Sequence, residues 1–132
     1  LEVGSVATDF EHRSFAQELA LCQRYFCAYG SPVDTISSGN KIGSGMSGAA
    51  NQAIIMLPTG SKMRSSPSVT FSSNVTLNDA AAGPYISSVN NARAFNGCVS
   101  VDFTSNPSSL TIGNACMLRF ESTSFLHFNS EL

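Results

Sequence analysis

The side chains that could do chemistry are few and scattered. His12 and His127 lie at opposite ends of the 132 residues, and Cys22, Cys27, Cys98 and Cys116 form neither a C-x-x-C pair nor a Cys/His zinc spacing. No metal site and no cofactor are expected. Cys22 and Cys27 are five apart, which puts them on different faces of a helix and opposite faces of a strand, poorly placed to bond to each other. Cys98 and Cys116 fall in strand-like stretches that could meet across a sheet as a disulfide; four buried free thiols is the competing expectation. The acids Glu18, Asp34, Asp79, Asp102, Glu121 and Glu131 stand singly and propose no carboxylate pair for acid–base work.

Two glycine motifs invite a functional reading and lack its context. Gly43, Gly45 and Gly48 spell G-x-G-x-x-G, but no apolar strand precedes them, no amphipathic helix follows, and no acid falls about twenty positions on. Gly45-Met46-Ser47-Gly48 is one residue short of a nucleophile elbow, which joins a buried strand to a helix. With 22 serines in the chain, a serine beside a histidine would mean little. No catalytic residue is expected, and the chain is read as a non-enzyme. Arg64 and Arg119 sit in apolar strand contexts, where a charge is costly unless it faces solvent or meets a carboxylate. Glu121, Glu131 and the carboxylate of Leu132 are candidate partners, so a structural ion-pair set of Arg64, Arg119 and Glu131 stands beside a solvent-facing reading.

The elements that would position these groups are one helix and many strands. Ser14 with Gln17 three residues on forms a capping-box pattern, and Phe15, Leu19, Cys22 and Phe26 recur at spacings of four, three and four. This predicts a helix over about residues 14–23, giving way to a strand near Gln23 that ends at Gly30, Ser31 and Pro32. A helix of about ten residues does not hold by itself in water. Its stripe must cover the end of a sheet in its own chain or meet copies from other chains around an axis. Residues 1–13 read as an extended lead-in with a strand at Leu1–Ala7, and the Gly/Ser/Asn-rich run Ser37–Gln52 as a long mobile loop. Strands are expected at Ala53–Leu57, Lys62–Arg64, Ser68–Phe71, Tyr85–Val89, Arg93–Phe103, Cys116–Ser122 and Phe125–Asn129. Short strands punctuated by turn residues, with no intervening helical pattern, predict an all-β antiparallel sandwich or jelly roll with one short N-terminal helix.

Composition narrows the function classes. Charged residues are only 12% and the net charge is −2 without a basic run, so the footprint of a nucleic-acid binder is missing. No apolar run approaches the ~18 residues of a membrane span. Polarity comes instead from 22 Ser, eight Thr and ten Asn, groups suited to bonding sugar hydroxyls. The start at Leu1 without Met points to a fragment or processed product, and Glu2 and Asp9 argue against a signal peptide.

Three segments carry a resemblance. Leu1–Phe26 (LEVGSVATDFEHRSFAQELALCQRYF) resembles the opening of the C-terminal domain in tail-fibre and receptor-binding proteins of tailed bacteriophages, especially aquatic phages, where LEVG-x-x-AT-x-FE-x-R runs into EL-x-x-CQRY. Met63-Arg64, Pro67 and Thr70 match an M-R-x-x-P-x-x-T pattern, and Phe128–Leu132 is similar to that family's closing F-S-A-E-L. Asp9 stands where Pro is expected, and Asn129-Ser130 replaces Ser-Ala. The middle of the chain, 32–56 and 74–115, matches no pattern.

The resemblance implies a virion protein assembled in the host cytoplasm. Residues 1–13 would lead in from an upstream domain, and 14–132 would form a homotrimeric β-sandwich tip that touches a host polysaccharide or outer-membrane protein. Phe15, Leu19, Cys22 and Phe26 would then meet at the trimer axis, alongside other tail proteins. Receptor contacts are assigned to the loops Ile42–Asn51, Asn78–Asn91 and Asn106–Asn114, with Tyr85 and Arg93 as the most ligand-like side chains. The alternative is a trimerisation or head-decoration module that never touches the host. A glycan-cleaving enzyme would need two acids roughly 5–10 Å apart in a groove.

Overall fold

The computed structural model describes residues 13–30, 40–80, 83–121 and 123–131. The expected strand at Leu1–Ala7, the turn at Ser31-Pro32, and His12, Asp34, Ser122 and Leu132 lie outside these. The chain forms an all-β antiparallel sandwich with one short N-terminal helix. Helix α1 spans Phe15–Gln23, and its start is set locally: the Ser14 hydroxyl accepts from Gln17 N, and the Gln17 side chain accepts in return from Ser14 N at 2.9 Å. Strand β1 (Phe26–Gly30) follows at once.

The smaller sheet has the order β1-β9-β4, with β4 at Ser68–Phe71 and β9 at Phe125–Asn129 in the middle. Cys27 and Val69 flank Phe128 from either side. Alternation turns Leu126 and Phe128 inward, while Phe125 and His127 look outward.

The larger sheet closes on itself in the order β2-β3-β7-β6-β5-β8. Its members are β2 (Asn40–Ala49), β3 (Gln52–Pro58), β5 (Val75–Asn78), β6 (Tyr85–Phe95), β7 (Cys98–Asn106) and β8 (Ala115–Phe120). Period-two patterning is strict in β3, where Ala53, Ile55 and Leu57 are buried and their neighbours exposed. Val99, Val101 and Phe103 of β7 and Cys116, Leu118 and Phe120 of β8 join them in one core with Leu126 and Phe128 of the smaller sheet. Full burial of each large side chain is worth about 1.5–3 kcal/mol.

Three expectations are corrected. The loop expected at Ser37–Gln52 is, from Asn40 to Ala49, strand β2, hydrogen-bonded to β3 on one side and β8 on the other. Its glycines mark crowding: a Cβ at Gly43 would lie 2.6 Å from Leu57 Cδ2, and one at Gly45 would overlap the Ile54 carbonyl. Lys62–Arg64, expected as a strand, is an irregular connection. The strand expected at Arg93–Phe103 is a hairpin, β6 and β7 folding back at Asn96-Gly97, where Gly97 has φ +72°. Strand β5 (Val75–Asn78), not among the expected strands, sits between β6 and β8 in the closed sheet.

Candidate functional site

The helix inverts the usual amphipathic arrangement. At about 100° per residue, Phe15, Leu19 and Cys22 share one side of α1, with Gln17, Ala20, Leu21 and Arg24 roughly opposite. An apolar stripe normally faces the core of its own chain. Here no residue of α1 is buried: Phe15 is 82% exposed and Leu19 45%, and Cys22 is also open to solvent. Phe26, the fourth member of the spacing, falls beyond the helix as the first residue of β1, at 47% exposure. It carries the stripe onto the outer face of the smaller sheet, where its ring meets His127 edge-on at 5.4 Å and His127 leans on Phe125 at 4.7 Å. His127 thus serves an aromatic cluster, and among the described residues no three of His, Cys, Asp and Glu converge as a metal site would require.

The opposite face of α1 looks back at its own subunit across a cleft. The helix is fastened at its C-terminal end, where Arg24 O accepts from Arg64 N and from the Ser130 hydroxyl, each at 2.8 Å, and Tyr25 O accepts from Ser130 N at 2.8 Å. The Arg64 guanidinium rests over the Tyr25 ring, 5.6 Å from its centroid. Between the helix and residues 61–64 a cleft of about 870 Å³ opens. Arg13 and Arg24 border it on the helix side, Lys62 and Arg64 on the other, with Leu21 and the buried Met63 forming apolar wall. Four of the chain's seven Lys and Arg residues meet there.

The ion-pair set separates. Arg119 pairs with Glu121 two residues on, Nε to Oε1 at 2.9 Å, on the same face of the chain. This offsets Lys41, which sits directly opposite Arg119 on β2. Arg64 makes no ion pair among the described residues and stacks on Tyr25 instead, because it stands on the irregular 61–64 connection away from β8. Glu131 bonds through its backbone N–H to Asn129 Oδ1 at 2.9 Å.

Tyr85 and Arg93 do not share a site. Both belong to β6, eight residues apart, which separates them by about 25 Å along the strand. Tyr85 is half exposed between Thr76 and Asn106. Arg93 approaches Asp102 of β7 at 3.9 Å, leaving Asp102 Oδ1 buried without a hydrogen bond. The loops assigned to receptor contact are largely strand: Ile42–Asn51 is mostly β2, and Asn78–Asn91 contains the first half of β6.

All four cysteines are free. Cys98 and Cys116 sit on β7 and β8, three places apart around a six-stranded closed sheet, so they lie on opposite walls and cannot bridge. Only Cys116 is fully buried; Cys22 is exposed on the helix, where no described residue covers the stripe. Burial raises the Cys116 thiol above its usual range, Asp79 adding to the shift and hydrogen bonding with Ser47 working against it. Burial likewise raises Cys27, and pushes the Tyr29 phenol up to about 12, with Cys27 contributing. The Tyr29 hydroxyl is buried without a partner. No described helix is long and apolar enough to cross a membrane. Comparison with protein-family models, with curated proteins and with solved structures found no match.

Proposed function

We propose that this chain is a non-enzymatic attachment domain, a homotrimer at the tip of a phage tail fibre that contacts a host polysaccharide or outer-membrane protein. The observation that carries the reading is the set of apolar side chains Phe15, Leu19, Cys22 and Phe26, all of them exposed among the described residues. A helix this short is not stable on propensity and caps alone, so apolar surface contributed by sister subunits supplies the missing packing. The tail-fibre resemblance at both ends of the chain and the neutral Ser/Thr/Asn surface support the same reading.

Mass photometry or light scattering of the chain tests it. The expected particle has three times the 13.9 kDa subunit mass, and Leu19→Asp, which places a carboxylate in the apolar seam, reduces it to one. A wild-type monomer at micromolar concentration would overturn the assignment. Blocking of phage adsorption by the wild-type trimer is the expected functional result; a stable trimer that never binds cells would favour a purely structural virion module.

A further inference from the structure

We propose that the cleft between α1 and residues 61–64 binds an anionic saccharide, a sugar carrying a carboxylate or phosphate. The charge distribution argues for an anion. A chain with net charge −2 places Arg13, Arg24, Lys62 and Arg64 around one opening. Gathering like charges costs electrostatic energy unless something compensates them. Only Arg13 has a carboxylate at hand, Glu18 at 3.6 Å; among the described residues Arg24, Lys62 and Arg64 have none. Arg64 is also held in place, its guanidinium stacked on Tyr25 and its backbone N–H bonded to Arg24 O. An arginine fixed this way presents its fork to a planar carboxylate or a phosphate with little further loss of freedom.

The cleft's shape and lining argue for a ring-sized ligand rather than a bare ion. At about 870 Å³ it falls in the range of small-molecule sites, roughly 300–1,000 Å³. Leu21 and Met63 offer apolar surface to the C–H face of a sugar ring, and the Gln17 amide N–H₂ and Ser61 hydroxyl offer hydrogen bonds to its hydroxyls. The anion requirement stands on the cleft alone, whereas the choice of a saccharide rests on the attachment reading. The site lies on the side of α1 opposite the apolar stripe, so a trimer joined through the stripe would keep three such clefts open. Three sites of modest strength would then gain by avidity on a repeating surface polymer.

The experiment is isothermal titration of the chain with three probes: a hexuronic acid oligomer, a hexosamine phosphate and a neutral glucan. The first two report the capsule-type and lipid-linked sources of the same chemistry. The expected result is salt-sensitive binding of at least one anionic probe and none of the neutral one, with Arg24→Gln/Arg64→Gln weakening it roughly tenfold or more. Circular dichroism and the melting temperature of that variant serve as the folding control, since Arg24 supports the fold through its carbonyl. Should the double variant be unfolded, Lys62→Gln, on an exposed connection, gives a second reading with a smaller loss. Equal binding of neutral and anionic probes, no binding of any, or unchanged affinity in the folded variant overturns the proposal. If wild-type and variant chains adhere equally to host cells, attachment stands and the cleft does not. If the probes bind in the cleft while cells are ignored, the reverse holds.

Discussion

The barrel and the helix obey one sequence rule and reach opposite ends. In β3, β7 and β8 each inward residue of the period-two pattern has found neighbours, and Ile55, Val101 and Leu118 have no solvent exposure at all. In α1 Phe15, Leu19 and Cys22 share one side, the capping box is formed, and yet Phe15 keeps 82% of its surface open. The difference lies in where the partner surface is. Strand neighbours come from the same chain by closure of the sheet, whereas the helix is fastened through carbonyls at its C-terminal end, and none of the described residues buries its apolar face. An amphipathic pattern marks a face suited to packing without stating against which molecule.

Breaking each region should therefore give different signatures. Phe103→Ala opens a cavity in the barrel and is expected to cost about 3–5 kcal/mol, seen as a lower denaturation midpoint at every protein concentration. Leu19→Asp, by contrast, should leave the barrel's circular dichroism intact and change only the particle mass. If it unfolds the barrel instead, the helix belongs to the intrachain core after all. Within β2, Gly45→Ala drives a methyl into the Ile54 carbonyl and is expected to destabilise by about 2–3 kcal/mol. Gly48→Ala, where a Cβ meets nothing within 4 Å, should change stability little, and urea titration of the pair separates crowding from composition.

The smallest effect concerns the sheet that joins the two regions. The Tyr29 phenol is held protonated in the fold to about 12, above its ordinary value of 10.0, so its contribution is complete below pH 10 and is lost as pH climbs toward 12. Tyr29→Phe removes a hydroxyl that has no partner. The expected outcome is unchanged or slightly raised stability at neutral pH and a shallower decline between pH 10 and 12, measured by thermal melts across that range. Cys27 and Cys116, also raised, leave a residual decline in the variant.

What the sequence made legible follows the range of the interactions involved. The helix, its cap at Ser14 and its end near Gln23 depend on residues within four positions and could be read directly. Strand β3 was legible as the apolar run Ala53–Leu57, but which of its residues face inward was not, since the exposed Ile54 and Met56 are as apolar as the buried Ile55 and Leu57. Strand β2 was hidden because glycine carries no hydrophobic signal, and its extended form comes from the ladders it makes with β3 and β8, distant in sequence or invisible in it. The β6–β7 turn was signalled by Asn96-Gly97, which a reading of continuous strand through Arg93–Phe103 passed over. The cleft left no local trace: Arg24 and Arg64 are forty positions apart, and tertiary contacts, the Arg64 N–H on the Arg24 carbonyl and the Arg64 guanidinium on Tyr25, bring them to one opening. Arg64 reads in sequence as a lone charge on a strand, and becomes one of four cations only in the fold.

The closed order of the larger sheet has a consequence for how this protein behaves when concentrated. A ladder that returns to its own beginning shortens the rows of unsatisfied amides on which a stray strand could template. Among the described strands, such rims remain on the outer sides of β1 and β4, five and four residues long, and along β6, which meets β5 only at the pair Thr76–Tyr85. The first two are too short to give intermolecular β-pairing much length on which to start, and the third is broken by irregularities at Ile86/Ser88 and Val89/Asn91 and carries the charge of Arg93, which make it a poor template.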